Sequence, residues 1–361
     1  MKTDVIIVGK GITGLVMSFL LRQRKIPHLL LGRAGKQGSL ALGETLPPSA
    51  LPLLKSLGLL PLFEENALAK TTGYHSAWGS SHVVDHNFYF NRPFQYGLKL
   101  NKEQLLLALE ALQKEQVYPF KRLSGINEEV DGMSVTLDDG TKIAAKFLVD
   151  ATGRKRVVGK ALGIAEKEHD QLMAFSAHLP RIRLPRLPHG VFVESFESGW
   201  GIVSELSEQT SVMTLYTTKS HEAKAGFMKY DCWPELLGDT QYLKSFLSPA
   251  EDIKVMGGNA NTTRLASCAG KSWLAIGDAA MAFDPLSSHG ITSGIYTASQ
   301  AAEALKNSLE SGNSEALDVY AERLEKIFGG YLEQKNQLYQ QEKRWELSSF
   351  WQEMCAFGRL A

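Results

Sequence analysis

Residues 5–14 read Val5-Ile6-Ile7-Val8-Gly9-Lys10-Gly11-Ile12-Thr13-Gly14, an apolar strand followed by the pattern G-x-G-x-x-G. The glycines permit a tight turn and let the backbone approach a pyrophosphate, and residues 15–21 continue as an apolar helix. The start of that helix would offer N–H groups and a positive dipole end to phosphate. The sequence therefore predicts a dinucleotide-binding strand, turn and helix. The predicted cofactor contacts in this motif are Gly9, Gly11, Ile12, Thr13 and Gly14.

A second pattern lies far downstream, where residues 273–276 predict a buried strand that leads into Gly277-Asp278-Ala279-Ala280 and then into residues 284–291. The strand would carry Asp278 to a turn where its carboxylate accepts hydrogen bonds from a ribityl hydroxyl. Gly290 and Ile291 open a helix, whose first N–H groups would stabilise negative charge on the pyrimidine edge of a reduced flavin. The alternative is an ordinary glycine-rich turn in which Asp278 caps a helix.

A third pattern is Asp150-Ala151-Thr152-Gly153-Arg154, preceded by a predicted hairpin over residues 135–143 with an Asp-Gly turn. Together the three patterns resemble the FAD-dependent monooxygenases of the p-hydroxybenzoate hydroxylase type, and the resemblance extends along the whole chain. It implies an α/β fold, in which a Rossmann-like FAD-binding domain is interleaved with a β-sheet substrate domain and followed by a C-terminal helical region. It also implies FAD contacts at Thr152, Gly153 and Asp278.

The predicted domain boundaries follow the hydrophobic patterns between these motifs. We expect residues 1–70, 98–170 and 257–330 to form the FAD-binding domain. Residues 71–97 and 171–256 would form the substrate domain, where runs such as Val191–Phe196 and Ser211–Tyr216 predict strands with one buried face. Residues 331–361 would form a C-terminal helical segment.

Three further stretches resemble one branch of the superfamily. They are Gly43-Glu44-Thr45-Leu46-Pro47-Pro48, Ser76-Ala77-Trp78-Gly79 and the aromatic tail from Tyr339 to Trp351. This branch contains halogenase-like proteins and the flavoproteins that mature tryptophan-derived quinone cofactors of amine and amino-acid oxidases. The halogenase motif W-x-W-x-I-P is missing, since residues 199–204 contain only Trp200. The sequence is therefore more similar to the maturation flavoproteins.

That resemblance implies a monooxygenase that hydroxylates a tryptophan side chain in the precursor of a quinone-cofactor oxidase, of the cysteine tryptophylquinone type. Its other reactants would be molecular oxygen and electrons from NAD(P)H or an external reductase. Two alternatives stay open: a small-molecule aromatic hydroxylase or halogenase-like enzyme, and a non-catalytic FAD-binding chaperone for the same partner.

The resemblance also assigns candidate residues around the flavin. Pro285 and His289 would lie beside the isoalloxazine ring, with His289 either relaying protons or merely hydrogen-bonded within its loop. Glu44 would fix the early loop or take part in proton transfer, and Thr45, Gly290 and Ile291 would contact the cofactor.

Two positions depart from the family pattern. Arg33 follows Gly32 at the end of the second strand, where an acidic residue normally binds the ribose. An arginine there suggests a competing class, an NADP-dependent dehydrogenase. Lys102 stands where the family usually has Arg. Both residues remain candidate FAD contacts, but loose FAD binding is expected.

Composition narrows the class further. The 361 residues are 44% hydrophobic and 22% charged with a formal net charge of zero, so no global field would attract nucleic acid or an anionic membrane. The first strand begins almost at Met1, which leaves no room for a signal peptide, and a cytoplasmic location is expected. Three cysteines without a C-x-x-C spacing argue against disulfides and a zinc site.

Two segments raise questions that the motifs leave open. Apolar residues from Leu317 to Trp345 recur at helical spacing, which indicates core packing or a partner surface, and Gly329-Gly330 predicts a break or kink. The basic, proline-spaced residues 180–190 would form either a connector or an arm that docks a partner chain.

Overall fold

A computed structural model describes residues 1–33, 42–120, 122–182, 190–221, 224–249 and 252–356. The strands of these residues are β1 (Lys2–Val8), β2 (His28–Arg33), β3 (Thr45–Leu46), β4 (Ala67–Thr71), β5 (Gly73–Ala77), β6 (Val84–Asn87), β7 (Gly97–Leu100), β8 (Val117–Phe120), β9 (Leu123–Glu129), β10 (Gly132–Leu137), β11 (Lys142–Asp150), β12 (Glu166–Glu168), β13 (Leu172–Pro180), β14 (Val191–Phe196), β15 (Gly199–Glu205), β16 (Thr210–Thr218), β17 (Val255–Asn259), β18 (Thr263–Leu265), β19 (Ala269–Gly270), β20 (Trp273–Ala275) and β21 (Met281–Ala282).

The α-helices are interspersed with these strands along the chain, and the last three helices follow the final strand. They are α1 (Ile12–Gln23), α2 (Leu51–Ser56), α3 (Leu60–Glu65), α4 (Lys102–Leu112), α5 (Val157–Ala161), α6 (Lys224–Phe227), α7 (Trp233–Leu236), α8 (Gly290–Ser311), α9 (Glu315–Gln340) and α10 (Ser349–Ala356). This arrangement confirms the predicted α/β fold with a C-terminal helical region.

The first large sheet has the order β19-β20-β11-β1-β2-β8; β10 also pairs with β11, and β9 pairs with β10. β1 lies in the middle and pairs in parallel with both β2 and β11, and its residues Val5 to Val8 are fully buried. A parallel sheet with helices against it explains why this strand is continuously apolar. Because β1, β11 and β20 run in the same direction, the three sequence motifs that follow them meet at one edge of the sheet.

The second large sheet has the order β17-β13-β16-β15-β14-β5-β6. The two predicted strands exist here as β14 and β16, but the prediction of one exposed face is wrong, since almost all their residues are at least half-buried. Phe227 and Trp233 pack on one face of this sheet. Phe350 and Trp351 from the C-terminal tail pack on the other. Alternate residues of each strand therefore enter two different cores.

Helix α9 runs without interruption through Gly329 and Gly330, so the predicted break there is wrong. Phe328 packs in the main core and Tyr331 packs against it, so tertiary contacts hold the helix on both sides of the glycines. Two glycines cost about 1 kcal/mol each relative to alanine, which such packing readily offsets. The divide that the sequence suggested between residues 330 and 331 falls within this helix.

Other features can be stated for the described residues. None of the described helices is long and apolar enough to cross a membrane. Cys232, Cys268 and Cys355 form no disulfide bond within the described part of the chain. Most of the basic segment, residues 183–189, lies outside the described residues, and its Arg181 is paired with Glu205 and Glu208.

Candidate functional site

The glycine turn after β1 is tightly packed on one side and open on the other. Gly9 has φ +113°, and a Cβ on it would lie 2.4 Å from the carbonyl oxygen of Ala151. A Cβ on Gly14 would lie 1.9 Å from the carbonyl oxygen of Gly9, so both positions require glycine. At Gly11, by contrast, a Cβ would meet no atom within 4 Å. Gly11 precedes α1 without a side-chain cap, which fits a phosphate approaching the first N–H groups.

The turn after β20 packs directly against this first motif. Gly277 has φ +58°, and a Cβ on Gly294 in α8 would lie 2.4 Å from Thr13 Oγ1. The close approach of α1 and α8 therefore depends on small residues at both contacts. Ile12, Thr13, Gly14 and the Gly277 turn are brought together as the sequence predicts for one cofactor site.

The third motif is organised by the buried carboxylate of Asp150. Its Oδ1 accepts hydrogen bonds from Thr152 N at 2.9 Å and Thr152 Oγ1 at 2.6 Å, and its Oδ2 accepts from Val158 N at 2.9 Å. This network holds Thr152 and Gly153 beside the first glycine turn, since Ala151 contacts Gly9. The sequence assigned a contact role to Thr152 and Gly153; Asp150 is the residue that positions them.

Asp278 lies in a recess opposite Arg154. The two side chains are 3.9 Å apart, and the Asp278 side chain is 39% exposed. Desolvation by the surrounding protein raises the pKa of this partly exposed carboxyl, while the positive charge of Arg154 opposes that rise. Arg154 also donates to the carbonyl oxygens of Asn261 at 2.5 Å and Phe283 at 3.2 Å. A carboxylate so placed can accept hydrogen bonds from a sugar or ribityl hydroxyl.

Glu44 and Lys102, predicted separately from the sequence, form an ion pair with 2.6 Å between Oε1 and Nζ. Lys102 is the first residue of α4, and Glu44 lies in the loop before β3. The pair is partly buried, so the early loop is fixed to α4 by a charge-assisted bond. Thr45 follows in β3, which pairs with β7.

Lys99 in β7 is a residue of this region that the sequence did not single out. It is fully buried, and its Nζ donates to Gly43 O at 2.9 Å, to Thr45 Oγ1 at 3.4 Å and to Ser204 Oγ. Burial lowers the pKa of Lys99 to about 7, against the opposing charges of Glu205 and Glu44. Lys99 therefore ties the loop before β3 to β15 of the second sheet. No local pattern marks it, because its burial depends on a strand about a hundred residues away.

The end of β2, where the family pattern has an acidic residue and this chain has Gly32 and Arg33, is covered by the side chain of Lys10. Arg33 is exposed at the end of β2, and the side chain of Lys10 lies over Gly32. A Cβ on Gly32 would lie 2.6 Å from Lys10 Cδ, and Lys10 Nζ forms a 2.7 Å ion pair with Glu110. Gly32 does not have positive φ. A side chain at position 32 would therefore collide only with the flexible side chain of Lys10.

The turn from Asp284 to His289 separates these motifs from a large cavity. Pro285 begins a short 3₁₀ turn, Ser288 has φ +52°, and α8 begins at Gly290, followed by Ile291. His289 is exposed and its Nδ1 is hydrogen-bonded to Ser287 O. This contact matches the loop-bound histidine that was the alternative to a proton relay. The relay role of His289 remains a prediction.

The cavity has a volume of about 1160 Å³. It lies between the Asp284 to His289 turn, helix α9, the β5–β6 hairpin and β14. Its apolar lining includes Leu53, Trp78, Phe88, Val191, Val193, Met281, Phe283, Leu286, Ile327 and Leu338. Its polar lining includes His86, Asp284, His289, Tyr331, Gln334, Lys335 and Gln341. A cavity of this size exceeds the range of roughly 300–1,000 Å³ that holds most small ligands.

An aromatic cluster from the C-terminal tail supports one wall of this cavity. Tyr339 in α9 accepts a hydrogen bond from Trp200 Nε1 at 3.0 Å, and Trp78 packs edge-on against both rings. The tail tryptophan Trp351 lies 5.4 Å from Trp78 between ring centroids. The aromatic residues that the sequence assigned to core packing or a partner surface are thus packed in a core.

Comparison with known proteins now defines the class. Residues 2–332 match the family described as FAD binding domain, and the chain belongs to this family. It is therefore an FAD-dependent oxidoreductase of the monooxygenase type, with FAD as its cofactor.

Particular relatives are similar over nearly the whole chain. The putative FAD-dependent oxidoreductase LodB of Marinomonas mediterranea is 27% identical, with 99% of this chain and 98% of LodB covered. The 1H-pyrrole-2-carbonyl-[peptidyl-carrier protein] chlorinase of Pseudomonas fluorescens is 23% identical over 84% of this chain and 76% of the chlorinase.

Two solved structures have the same fold. The peptidyl tryptophan dihydroxylase QhpG, which is essential for tryptophylquinone cofactor biogenesis, has a TM-score of 0.76 and 22% identity, with 98% of this chain and 79% of QhpG covered. The myxobacterial chondrochloren halogenase CndH has a TM-score of 0.84 and 20% identity, with 98% of this chain and 86% of CndH covered.

The residues at the three motifs fit FAD. Gly11 leaves open space at a helix start for the pyrophosphate, and Asp278 offers a carboxylate for the ribityl chain. The Glu44–Lys102 pair borders the same site. FAD, when reduced, supplies the activation of oxygen, and the protein supplies orientation and exclusion of water.

Proposed function

We propose that this protein is an FAD-dependent monooxygenase that hydroxylates a tryptophan side chain of a partner protein during biogenesis of a cysteine tryptophylquinone-type cofactor. Its reactants are molecular oxygen and the precursor of a quinone-cofactor oxidase, with electrons from NAD(P)H or an external reductase. The observation that carries the proposal is the large, mainly apolar cavity directly beyond the Pro285 turn.

The cavity favours a bulky aromatic group over a small polar substrate. Trp78, Phe88 and Phe283 line it, and aromatic walls prefer a flat apolar ring. An indole ring alone and a small phenolic acid are of similar size and fill only part of this volume, whereas a tryptophan carried by a polypeptide brings neighbouring residues that can occupy the rest. The fold shared with the peptidyl tryptophan dihydroxylase QhpG supports the same substrate class, and the similarity to LodB along nearly the whole chain supports FAD-dependent oxidoreductase chemistry.

A halogenase-like reaction is the alternative with the weaker support. Only one tryptophan of the halogenase motif has a counterpart, and that residue, Trp200, is fully buried. It stacks on Tyr216 with 3.9 Å between ring centroids and donates to Tyr339. Trp200 therefore serves the core behind the cavity wall.

The proposal is tested by the rate at which reduced FAD is reoxidised by oxygen. We expect the unmodified partner precursor to accelerate reoxidation with saturation, and free tryptophan to have little effect. The matched control is a precursor in which the acceptor tryptophan is replaced by phenylalanine.

Each alternative has its own result in this experiment. Binding of the precursor with no acceleration of reoxidation and no change of its mass would identify a chaperone. Rapid, saturable hydroxylation or halogenation of a free small aromatic compound, with no effect of the precursor, would contradict the proposal.

A further inference from the structure

The cavity holds one buried carboxyl group that none of the roles above uses. Asp284 lines the cavity, yet its residue is only 1% exposed. Its Oδ1 accepts a hydrogen bond from Leu286 N at 2.8 Å, and its Oδ2 accepts one from Tyr339 OH at 2.8 Å. Each carboxylate oxygen accepts two bonds when ionised, so each of them keeps one acceptor position.

The position of Asp284 is fixed from several sides. Its backbone N–H donates to Tyr331 OH at 2.7 Å, so α9 holds both its backbone and its side chain. It immediately precedes Pro285, the residue expected beside the isoalloxazine ring. A carboxyl group held this rigidly, beside the residue expected next to the ring, is suited to act as an acid or base.

We propose that Asp284 is a catalytic residue of this site: its carboxylate accepts the proton that the aromatic substrate loses when it is hydroxylated. This inference rests on the proposed function. When one oxygen atom of O₂ has bonded to the ring carbon, the O–O bond has broken and the other oxygen leaves as water; the C–H bond at that carbon then breaks and its electron pair restores the aromatic ring. The proton moves to Asp284 Oδ, and no electron is gained or lost in this step. The oxidant is O₂, and the reductant is the reduced FAD.

The charges around Asp284 leave it able to change protonation at a physiological pH. Burial raises its pKa to about 6; the Lys335 ammonium and the bonds from Leu286 N and Tyr339 OH oppose the rise, while Asp170 adds to it. The titratable and charged groups facing it are Lys335, Tyr331 and Tyr339 from α9, Asp170 next to β13, Tyr216 from β16 and Arg154 next to Phe283. Lys335 is itself paired with Asp170.

A structural role alone would predict a different behaviour. The bond to Leu286 N caps the turn, and an asparagine can make it equally well. Asp284→Asn should therefore retain the turn and bound FAD but lose the proton acceptor. We expect product formation in a single turnover to fall about a hundredfold above pH 6, the usual contribution of a positioned base.

The pH profile separates a catalytic from a structural role. In the wild type, the rate of product formation should rise with pH through about 6 and then level off, and Asp284→Asn should lack this rise. Tyr339→Phe removes a bond that stabilises the carboxylate, so the rise should move to higher pH. Tyr320→Phe is the matched control, because its buried hydroxyl bonds Ala275 O away from the cavity.

Failure of the proposed role of Asp284 can be distinguished from failure of the proposed function. Infrared difference spectra of the FAD-loaded protein without any partner should show a carboxyl band that titrates near pH 6 and is lost in Asp284→Asn. Absence of that band overturns the inference whatever the partner does. If the wild type hydroxylates the partner and Asp284→Asn does so at the same rate and with the same pH profile, the inference is also wrong. If the wild type adds no oxygen to the partner, the proposed function fails and the inference that rests on it fails too.

Discussion

Two lysines three residues apart in the chain, Lys99 and Lys102, have opposite electrostatic surroundings in this protein. Lys102 is partly exposed and balanced by Glu44 at 2.6 Å. Lys99 is buried, and its Nζ is surrounded by neutral oxygens of Gly43, Thr45 and Ser204. Lys102 is held by its ion pair, whereas burial lowers the pKa of Lys99 to about 7, which couples the loop before β3 to pH.

Replacement of Lys99 by methionine should change how stability depends on pH. The pKa of Lys99 is about 7 in the folded protein against an ordinary value of 10.5, so between these values the unfolded chain binds one more proton. This residue therefore makes the free energy of unfolding rise with pH in that window, by up to about 1.4 kcal/mol per pH unit. Urea unfolding of Lys99→Met at several pH values should show a shallower rise. An identical slope in both proteins would contradict this account.

Gly32→Glu should tighten FAD binding, because it restores the acidic residue that normally bonds the ribose. A charge-assisted hydrogen bond is worth about 1.5–3 kcal/mol, which is roughly tenfold or more in affinity. Lys10 has to move aside, and its side chain is flexible enough to do so. Gly32→Gln is the control of equal size without the charge. Fluorescence titration with FAD that finds no tightening, or the same tightening in both variants, would oppose this explanation.

Asp278→Ala and His289→Ala should have different effects on FAD. Asp278 is the residue that we assign as a ligand of the ribityl chain. Its loss should therefore lower the amount of FAD retained on purification. His289 is exposed and bonded within its own loop, so its loss should leave retention intact and alter only the pH dependence of turnover. Equal retention in both variants would remove Asp278 from the cofactor site. Full activity of His289→Ala at every pH would remove the relay role.

At the scale of elements, sequence patterns correctly predicted the strands, turns and helix starts that depend on residues close in sequence. The strand and turn of β1 to α1, the hairpin β10–β11 with Gly140 at φ +84°, and the start of α8 at Gly290 all follow from residues close in sequence. The burial of both faces of β14 and β16 did not follow, because it depends on a C-terminal tail more than a hundred residues away. The surroundings of Asp284 and Lys99 likewise depend on residues distant in sequence, in α9 and β15 respectively, and no local pattern marks either residue.

The unbroken course of α9 makes a prediction about its glycines. At Gly329 a Cβ would meet no atom within 4 Å, so Gly329→Ala should stabilise the protein by about 1 kcal/mol through helix propensity. Gly312 is the contrasting position, because it ends α8 at φ +74° and alanine there is strained. Urea unfolding should therefore move in opposite directions for Gly329→Ala and Gly312→Ala. Destabilisation by Gly329→Ala would indicate that the helix needs local flexibility at that point.

At the scale of the whole molecule, the cavity lies between the second large sheet, the Asp284 to His289 turn and α9. The FAD motifs follow strands of the first sheet, whereas Val191 and Val193 in the second sheet line the cavity. The docking arm predicted from residues 180–190 has weaker support, since Arg181 is already paired with Glu205 and Glu208 and residues 183–189 lie outside the described chain. Recognition of a protein-borne substrate is therefore argued from the cavity.

The most direct measurement is the mass of the partner precursor after reaction with the FAD-loaded, reduced protein under isotopically labelled oxygen. The account predicts that labelled oxygen is added to one tryptophan-containing peptide of the precursor, and that the protein stripped of FAD adds none. Labelled oxygen found only in hydrogen peroxide, with the precursor unchanged in mass, would contradict the central claim that this flavoprotein hydroxylates a protein-borne tryptophan.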